Sequence, residues 1–154
     1  MEKSVGYAGY IDSIRIVRFT LGGSSFGIPI EDVAFIEIMK NHITAISHAP
    51  EYIKGATLLY GMLIPIYDLA SRFGYVEPKA EYLIVVETKR MKLGLPIDAG
   101  CDIDIIDVDH TSFYPVPVTM NPARNYFSSV ILHQERIIGL IDVNRLLPED
   151  ELIF

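Results

Sequence analysis

The chain has 154 residues, half of them apolar, and a formal net charge of −7. This length suits one domain with a sizeable core, and the acidic balance argues against nucleic acids, which usually bind a basic footprint. Apolar runs fall short of the roughly 18 residues of a membrane span, the first residues lack the apolar core of a secretory signal, and a single cysteine, Cys101, fits a reducing compartment. These features predict a cytoplasmic protein that does not insert into membranes.

Alternation along the N-terminal part predicts the first hairpin. Residues 1–13 are expected to form a flexible lead-in. Residues 17–21 and 26–30 then alternate apolar with polar or small side chains on the two sides of a Gly-Gly-Ser-Ser turn. This pattern is typical of a hairpin with one buried face. A short helical signal follows at residues 31–35.

The middle of the chain predicts a second hairpin that ends in a capped helix. Residues 56–59 and 62–67 are predicted strands on either side of a tight step at Tyr60-Gly61. Asp68 then lies where a helix N-cap belongs, because its carboxylate can accept hydrogen bonds from the free amides of the first helical turn. We expect a short helix at residues 68–73.

The second half contains further short strands. They are predicted at residues 82–86 and 91–97, and a last hairpin joins residues 130–132 to 137–141 through Gln134-Glu135, before a helical signal at residues 142–147. Many short strands with frequent turns favour a mainly β fold, built as barrels or as a sandwich.

Two short motifs recur in the same order. The sequence Phe-Gly-Ile-Pro-Ile-Glu at residues 26–31 reappears as Leu-Gly-Leu-Pro-Ile-Asp at residues 93–98, and Ile-Pro-Ile-Tyr-Asp-Leu at residues 64–69 reappears as Ile-Gly-Leu-Ile-Asp-Val at residues 138–143. Chance recurrence explains either pair alone. The shared order favours a duplication, and therefore two similar small barrels that pack together.

Candidate catalytic and metal-binding patterns have simpler structural interpretations. Ser25 lies in a G-x-S-x-G pattern, but a nucleophile elbow needs a following helix, whereas a strand is predicted here. The acidic run at residues 101–110 offers oxygen ligands for a cation but lacks the glycine and terminal glutamate of a calcium loop, so a solvated strand face with a bulge is favoured. The four histidines show no metal-ligand spacing; they are His42, His48, His110 and His133.

Residues 50–74 resemble the CheW-type coupling proteins of bacterial chemotaxis. The shared features are a proline with an aromatic residue two positions on, an Ile-Lys-Gly step, a Leu-x-Gly corner and an Ile-Pro-Ile-x-Asp-Leu strand end. The matching residues are Pro50, Tyr52, Ile53, Lys54, Gly55, Leu59, Gly61, Ile64, Pro65, Ile66, Asp68 and Leu69. The match fails at Leu58, where the family has asparagine, and at Tyr60, where it has arginine.

The resemblance extends from about Ile16 to Leu147 and implies a fold. It implies a mainly β domain of two similar five-stranded, SH3-like β-barrels with short helices, which share a core. Residues 14–154 would then form a single CheW-like domain of two barrel halves, at about 14–80 and 81–154, which either keep or exchange their end strands.

The resemblance also implies a function without catalysis or cofactors. Family members bridge chemoreceptor tips and a CheA-type histidine kinase of the two-component type. The implied kinase-facing candidates are Val33, Ile36 and Glu37, for which ordinary helix-and-strand packing is an equal alternative. The candidates near the receptor groove between the barrels are Lys54, Gly55, Tyr60 and Gly61, although both glycines also suit backbone requirements. The rival hypothesis is a divergent β-barrel module that binds a small ligand or another protein outside motility.

Overall fold

The structure, a computed structural model, describes residues 13–39, 43–76, 80–98, 103–117 and 123–148. Within these ranges the strands are β1 (Ser13–Leu21), β2 (Ser24–Pro29), β3 (Val33–Ile38), β4 (Ile53–Leu59), β5 (Met62–Tyr67), β6 (Ala80–Glu87), β7 (Lys92–Asp98), β8 (Asp104–Asp109), β9 (Phe113–Tyr114), β10 (Phe127–His133) and β11 (Arg136–Ile141). The helix α1 (Leu69–Arg72) follows β5, and single 3-10 turns lie at Ile30–Asp32, His110–Ser112, Ala123–Tyr126 and Val143–Arg145. The predicted lead-in at residues 1–13 lies outside the described residues except for Ser13, which begins β1. His42 and Cys101 also lie outside them.

The strands form two sheets with the same internal order. One sheet runs β3-β6-β7-β5-β4, and the other runs β8-β1-β2-β11-β10, with the two-residue β9 added at its edge. We call these the first barrel and the second barrel. The predicted mainly β fold of two similar small barrels is confirmed. The second barrel takes β1 and β2 from the start of the chain, and a division into halves near residue 80 stays a prediction.

The recurring sequence motifs occupy equivalent positions in the two barrels. In each barrel, one copy of the first motif lies parallel to one copy of the second motif. Gly94 of β7 pairs with Ile66 of β5 in the first barrel, and Gly27 of β2 pairs with Leu140 of β11 in the second. The offsets of the two repeats predict this correspondence of register.

The equivalence extends to the cap that follows each hairpin. Asp68 accepts a hydrogen bond from the backbone N–H of Ser71 through its side chain (3.2 Å), and its own N–H donates to the carbonyl of Tyr52 (2.8 Å). Asp142 makes the equivalent two bonds in the second barrel. Its side chain accepts from the backbone N–H of Asn144 (3.1 Å), and its own N–H donates to the carbonyl of Tyr126 (2.9 Å). The predicted N-caps therefore hold a helix in one barrel and a 3-10 turn in the other.

Three apolar clusters fill the molecule. Ile64, Ile66, Leu83 and Val85 fill the first barrel, and a set around Ile131 and Ile138 fills the second. A larger central cluster combines residues of both sheets.

Phe73, which ends α1, joins the central cluster to the second barrel. Its ring centroid lies 5.1 Å from that of Phe26 and 5.3 Å from that of Phe127. The short helix after β5 therefore carries an aromatic anchor from the first barrel into the shared core.

Two local predictions are wrong. The helix expected at residues 31–35 is a 3-10 turn followed by β3, because the alternating side chains from Val33 onward pair with β6. The bulge expected in the acidic run is absent from β8, which pairs with β1 without a register shift. Asp104 consequently lies on the same strand face as Ile106 and Val108, which pack in the second barrel.

No helix within the described ranges is long and apolar enough to cross a membrane. The one α-helix there, α1, has four residues.

Candidate partner-binding surface

Tyr60 links the two edge strands of the first-barrel sheet, β3 and β4. It begins the β4–β5 turn with a φ of 50°, and its side chain is 73% exposed. The ring packs edge-on against Phe35 of β3, with centroids 5.4 Å apart, and the hydroxyl donates a hydrogen bond to Glu37 Oε1. This bond to a carboxylate raises the pKa of Tyr60, because ionisation would bring two negative charges together.

Exposed apolar side chains lie on both sides of this contact. Ile36 and Ile38 are large exposed residues of β3, and they alternate with Phe35 and Glu37. Leu58 and Leu63 form a cross-strand pair in the β4–β5 hairpin, and each is about 60% exposed. Clusters of this kind mark interaction sites more often than scattered apolar residues do. We call Ile36, Ile38, Leu58, Tyr60 and Leu63 the first-barrel surface.

The remaining predicted site residues have other environments. Val33 is half-buried and packs against the central cluster. Lys54 Nζ lies 3.5 Å from Asp68 Oδ2, and Gly55 is buried next to Thr44 at the start of β4. Gly61 completes the turn with a φ of 76° and open space on its Cβ side.

The structure therefore divides the predicted receptor-facing set into two places. Lys54 and Gly55 lie near the capped helix, whereas Tyr60 and Gly61 lie at the far end of β4, roughly 20 Å away along the strand. Tyr60 instead contacts Glu37, which the family resemblance implies to be kinase-facing. Ile38, Leu58 and Leu63 were missed, although the alternation that predicts the strands also predicts which side chains face outward.

A stacked cluster links the two barrels. The Arg72 guanidinium lies over the ring of Tyr52 at 4.5 Å and near that of Tyr126 at 5.2 Å, and its Nε donates to the hydroxyl of Tyr67 (3.1 Å). The Tyr67 hydroxyl donates to the carbonyl of Leu146 (2.7 Å). Burial raises the pKa of Tyr67 to about 12. Tyr52 and Tyr126 share the 74-residue offset of the second repeat, which is the sequence signal for this cluster.

The described residues hold no cluster of three side chains suited to a metal ion. Ser25 lies within β2 and pairs with Thr20 across the Gly22-Gly23 turn, so the predicted hairpin stands in place of a nucleophile elbow. The arrangement of the first-barrel surface instead suits contact with another macromolecule, since an apolar centre with a polar rim is the usual composition of such interfaces.

Comparison with known proteins identifies relatives over nearly the whole chain. The sequence model of the CheW-like domain family matches residues 15–151. A probable chemotaxis protein CheW of Rhizobium etli is 31% identical over 141 residues, which cover 89% of each protein. The chemotaxis protein CheW of Klebsiella aerogenes is 29% identical over 149 residues, which cover 94% of this chain and 88% of the relative.

A solved structure has the same fold. The crystal structure of the scaffolding protein TtCheW from Thermoanaerobacter tengcongensis superimposes with a TM-score of 0.79 at 28% sequence identity, and the match covers 92% of this chain and 97% of that one.

Proposed function

Because this chain belongs to the CheW-like domain family, we propose that it is a non-enzymatic cytoplasmic adaptor that couples chemoreceptors to a CheA-type histidine kinase. The relatives named as chemotaxis and scaffolding proteins support a chemotaxis adaptor role. The kinase and receptor contacts are the finer part of the proposal and depend on surfaces of this chain.

The observation that supports kinase binding is the first-barrel surface. Four of its aliphatic side chains and the Tyr60 ring are exposed around a fixed contact between β3 and the β4–β5 hairpin. Glu37 holds the Tyr60 hydroxyl, so the ring is oriented before a partner arrives and loses less side-chain entropy on binding. We assign this surface to the regulatory domain of the kinase, which has a similar fold in the family.

The receptor contact is proposed for the groove between the barrels. Lys54 is partly exposed at the first-barrel end of this region and is held by Asp68. We propose that an acidic or carbonyl-rich helical hairpin of the receptor contacts Lys54 beside its ion pair with Asp68.

The repeat supplies a matched control for the kinase contact. Leu132 and Ile137 occupy in the second barrel the positions of Leu58 and Leu63, at the same offset of 74 residues, and they too form an exposed cross-strand pair. Substitution of Leu58 by aspartate places a charge in the proposed interface, whereas Leu132→Asp places the same charge at the equivalent strand position elsewhere.

Isothermal titration of the full chain against the CheW-like regulatory domain of the histidine kinase from the same organism tests the proposal. We expect Leu58→Asp to weaken binding at least tenfold, about 1.4 kcal/mol or more, and Leu132→Asp to bind as the unmodified chain does. Equal weakening by both variants would contradict the assignment to the first-barrel surface. Absence of binding by the unmodified chain at micromolar concentrations would contradict kinase coupling itself.

A further inference from the structure

An open pocket of about 520 Å³ lies at one end of the second barrel. Ile106 and Ile138 form its apolar lining. The polar lining consists of Gln134 and of four residues with ionisable side chains, which are Arg18, Asp104, His133 and Arg136. We call these four residues the polar mouth. The volume falls in the range of small-molecule sites, which combine apolar walls with a few placed polar groups.

The polar mouth continues the inward-facing rows of the barrel. Side chains two residues apart on a strand share a face, so Arg18 follows Ile16 on β1, and His133 follows Ile131 on β10. Ile16 and Ile131 are fully buried in the second-barrel cluster. The polar side chains are therefore the outermost layer of the barrel interior, and their strands fix their positions.

The first barrel has the same rows with apolar ends. The offsets of the repeat make residues of the first barrel equivalent to those of the polar mouth. Val85 is equivalent to Arg18, Leu59 to His133 and Met62 to Arg136. Phe35 pairs with Val85 as Asp104 pairs with Arg18. These four apolar side chains pack onto or belong to the first-barrel cluster. One barrel end is thus filled by side chains, and the equivalent end of the other is an open polar pocket.

The charges of the polar mouth are unequal. Arg18 donates two hydrogen bonds to Asp104, at 2.8 and 3.1 Å, and its side chain is only 13% exposed. The ion pairs between described residues do not include Arg136 or His133. Among the described residues that line the pocket, two guanidinium groups and an imidazole therefore surround the Asp104 carboxylate, in a chain whose net charge is −7.

We propose that the polar mouth of the second barrel binds a small molecule that carries a phosphate or carboxylate group. The anionic group pairs with Arg136, whose planar guanidinium can donate two parallel hydrogen bonds to either kind of oxyanion. His133 supplies a further donor, and the Arg18–Asp104 pair forms a rigid side of the site. The apolar part of the ligand lies against Ile106 and Ile138. This site goes beyond the proposed adaptor role.

Nuclear magnetic resonance of the full chain, labelled with nitrogen-15, tests the site without any partner protein. The chain is titrated with sodium phosphate and, in a separate series, with sodium succinate, while sodium chloride keeps the ionic strength constant. We expect saturable shifts at the Arg136 Nε–H, the His133 ring and the amides of the Gln134-Glu135 turn. Saturation by phosphate alone identifies a phosphate-bearing ligand, saturation by succinate alone identifies a carboxylate-bearing one, and saturation by both supports the shared chemistry.

Arg136→Gln and Arg15→Gln are the matched variants. Arg136 is exposed, so its substitution leaves the core intact, and Arg15 lies on β1 with the opposite face orientation to Arg18 and outside the pocket. Loss of a charge-assisted hydrogen bond predicts at least a tenfold weaker affinity in Arg136→Gln, whereas Arg15→Gln retains the affinity of the unmodified chain. Linear, non-saturating shifts in both titrations, or equal affinity in the two variants, would overturn the proposal.

Discussion

Tyr60 differs in charge and in hydrogen-bonding groups from the arginine that the CheW-type pattern has at this position. An arginine at this position would offer five donors and a permanent positive charge, whereas Tyr60 offers a ring that packs on Phe35 and a hydroxyl that donates to Glu37. The side chain therefore connects β3 to the β4–β5 turn within this chain. Any partner that meets it encounters an aromatic surface with a neighbouring carboxylate rather than a cation.

Tyr67 gives a residue-scale prediction about alkaline stability. Its hydroxyl ionises at a pKa of about 12 in the folded protein, compared with about 10 in an unfolded chain. Because the folded state holds the proton more tightly, this contribution to stability is complete below pH 10. It is lost as the pH rises from 10 to 12, by about 2–3 kcal/mol.

Urea unfolding of the unmodified chain and of Tyr67→Phe between pH 7 and pH 11 measures this effect. At pH 7 we expect the variant to be about 1–3 kcal/mol less stable, because the Leu146 carbonyl and Arg72 lose their partner. The difference between the two proteins should decrease above pH 10. Tyr114→Phe, at a half-exposed residue of β9, is the control. A difference for Tyr67→Phe that stays constant with pH would contradict the prediction.

At the scale of elements, the β4–β5 hairpin of the first barrel and the β10–β11 hairpin of the second have the same strand pairing but different exposed side chains. The turns at Tyr60-Gly61 and Gln134-Glu135 all have positive φ values, between 49° and 76°. A register shift occurs after Ile53 in β4 and after Phe127 in β10, at equivalent positions. The Tyr60-Gly61 corner has no equivalent in residue type but has one in backbone conformation. The Lys54-Gly55 step has an equivalent only in the register shift, because the φ of 152° at Gly55 does not recur at Ser129. The β4–β5 and β10–β11 hairpins therefore have a common backbone structure, and their exposed side chains differ between the two barrels.

The irregularity in β4 gives a prediction at this scale. Gly55 has a φ of 152°, and a Cβ atom on it would lie 2.3 Å from the carbonyl oxygen of Thr44, a backbone atom that is itself paired with Ala56. We expect Gly55→Ala to lower the free energy of unfolding by more than about 2 kcal/mol, because both conformational strain and a steric clash oppose the side chain.

Gly61→Ala is the comparison for Gly55→Ala. Gly61 has a positive φ but open space around its Cβ position, so its substitution carries only the conformational cost of about 1 kcal/mol. Thermal and urea unfolding of both variants measure the two costs. Equal stability of the two variants would show that the approach of Thr44 to Gly55 is unimportant.

At the scale of the whole molecule, the shared core couples the barrels. The central cluster contains Phe19, Phe26 and Phe127 from the second barrel and Tyr67, Ile84 and Leu95 from the first. Among the described residues, the cluster of the second barrel holds five buried residues and that of the first barrel holds four. Neither barrel interior has enough buried apolar surface to fold without the core that both sheets share.

We therefore expect the chain to unfold in one cooperative transition. Far-ultraviolet circular dichroism reports strand content, and carbon-13 methyl resonances of Ile66 and Ile131 report the interior of each barrel separately. All three signals should have the same urea midpoint. Different midpoints for the two methyl groups would show that the barrels unfold independently and would contradict this prediction.

The sequence by itself determined the local structure and the family. Alternation, paired turn residues and Asp caps depend on contacts between near neighbours, so the hairpins, the N-cap at Asp68 and the repeat were all predictable from residue order. The helix expected at residues 31–35 was wrong because pairing of β3 with β6, some 50 residues away, outweighed a weak local signal.

Only the tertiary structure decided which distant residues meet. The parallel pairings of β2 with β11 and of β5 with β7 join segments far apart in the chain, and no local pattern encodes them. The orientation of Asp104 into the polar mouth follows from the pairing of β8 with β1, and the contact of Tyr60 with Glu37 brings the β4–β5 turn to β3. The candidate surfaces of this protein are therefore set by barrel closure, because closure brings the ends of non-adjacent strands together.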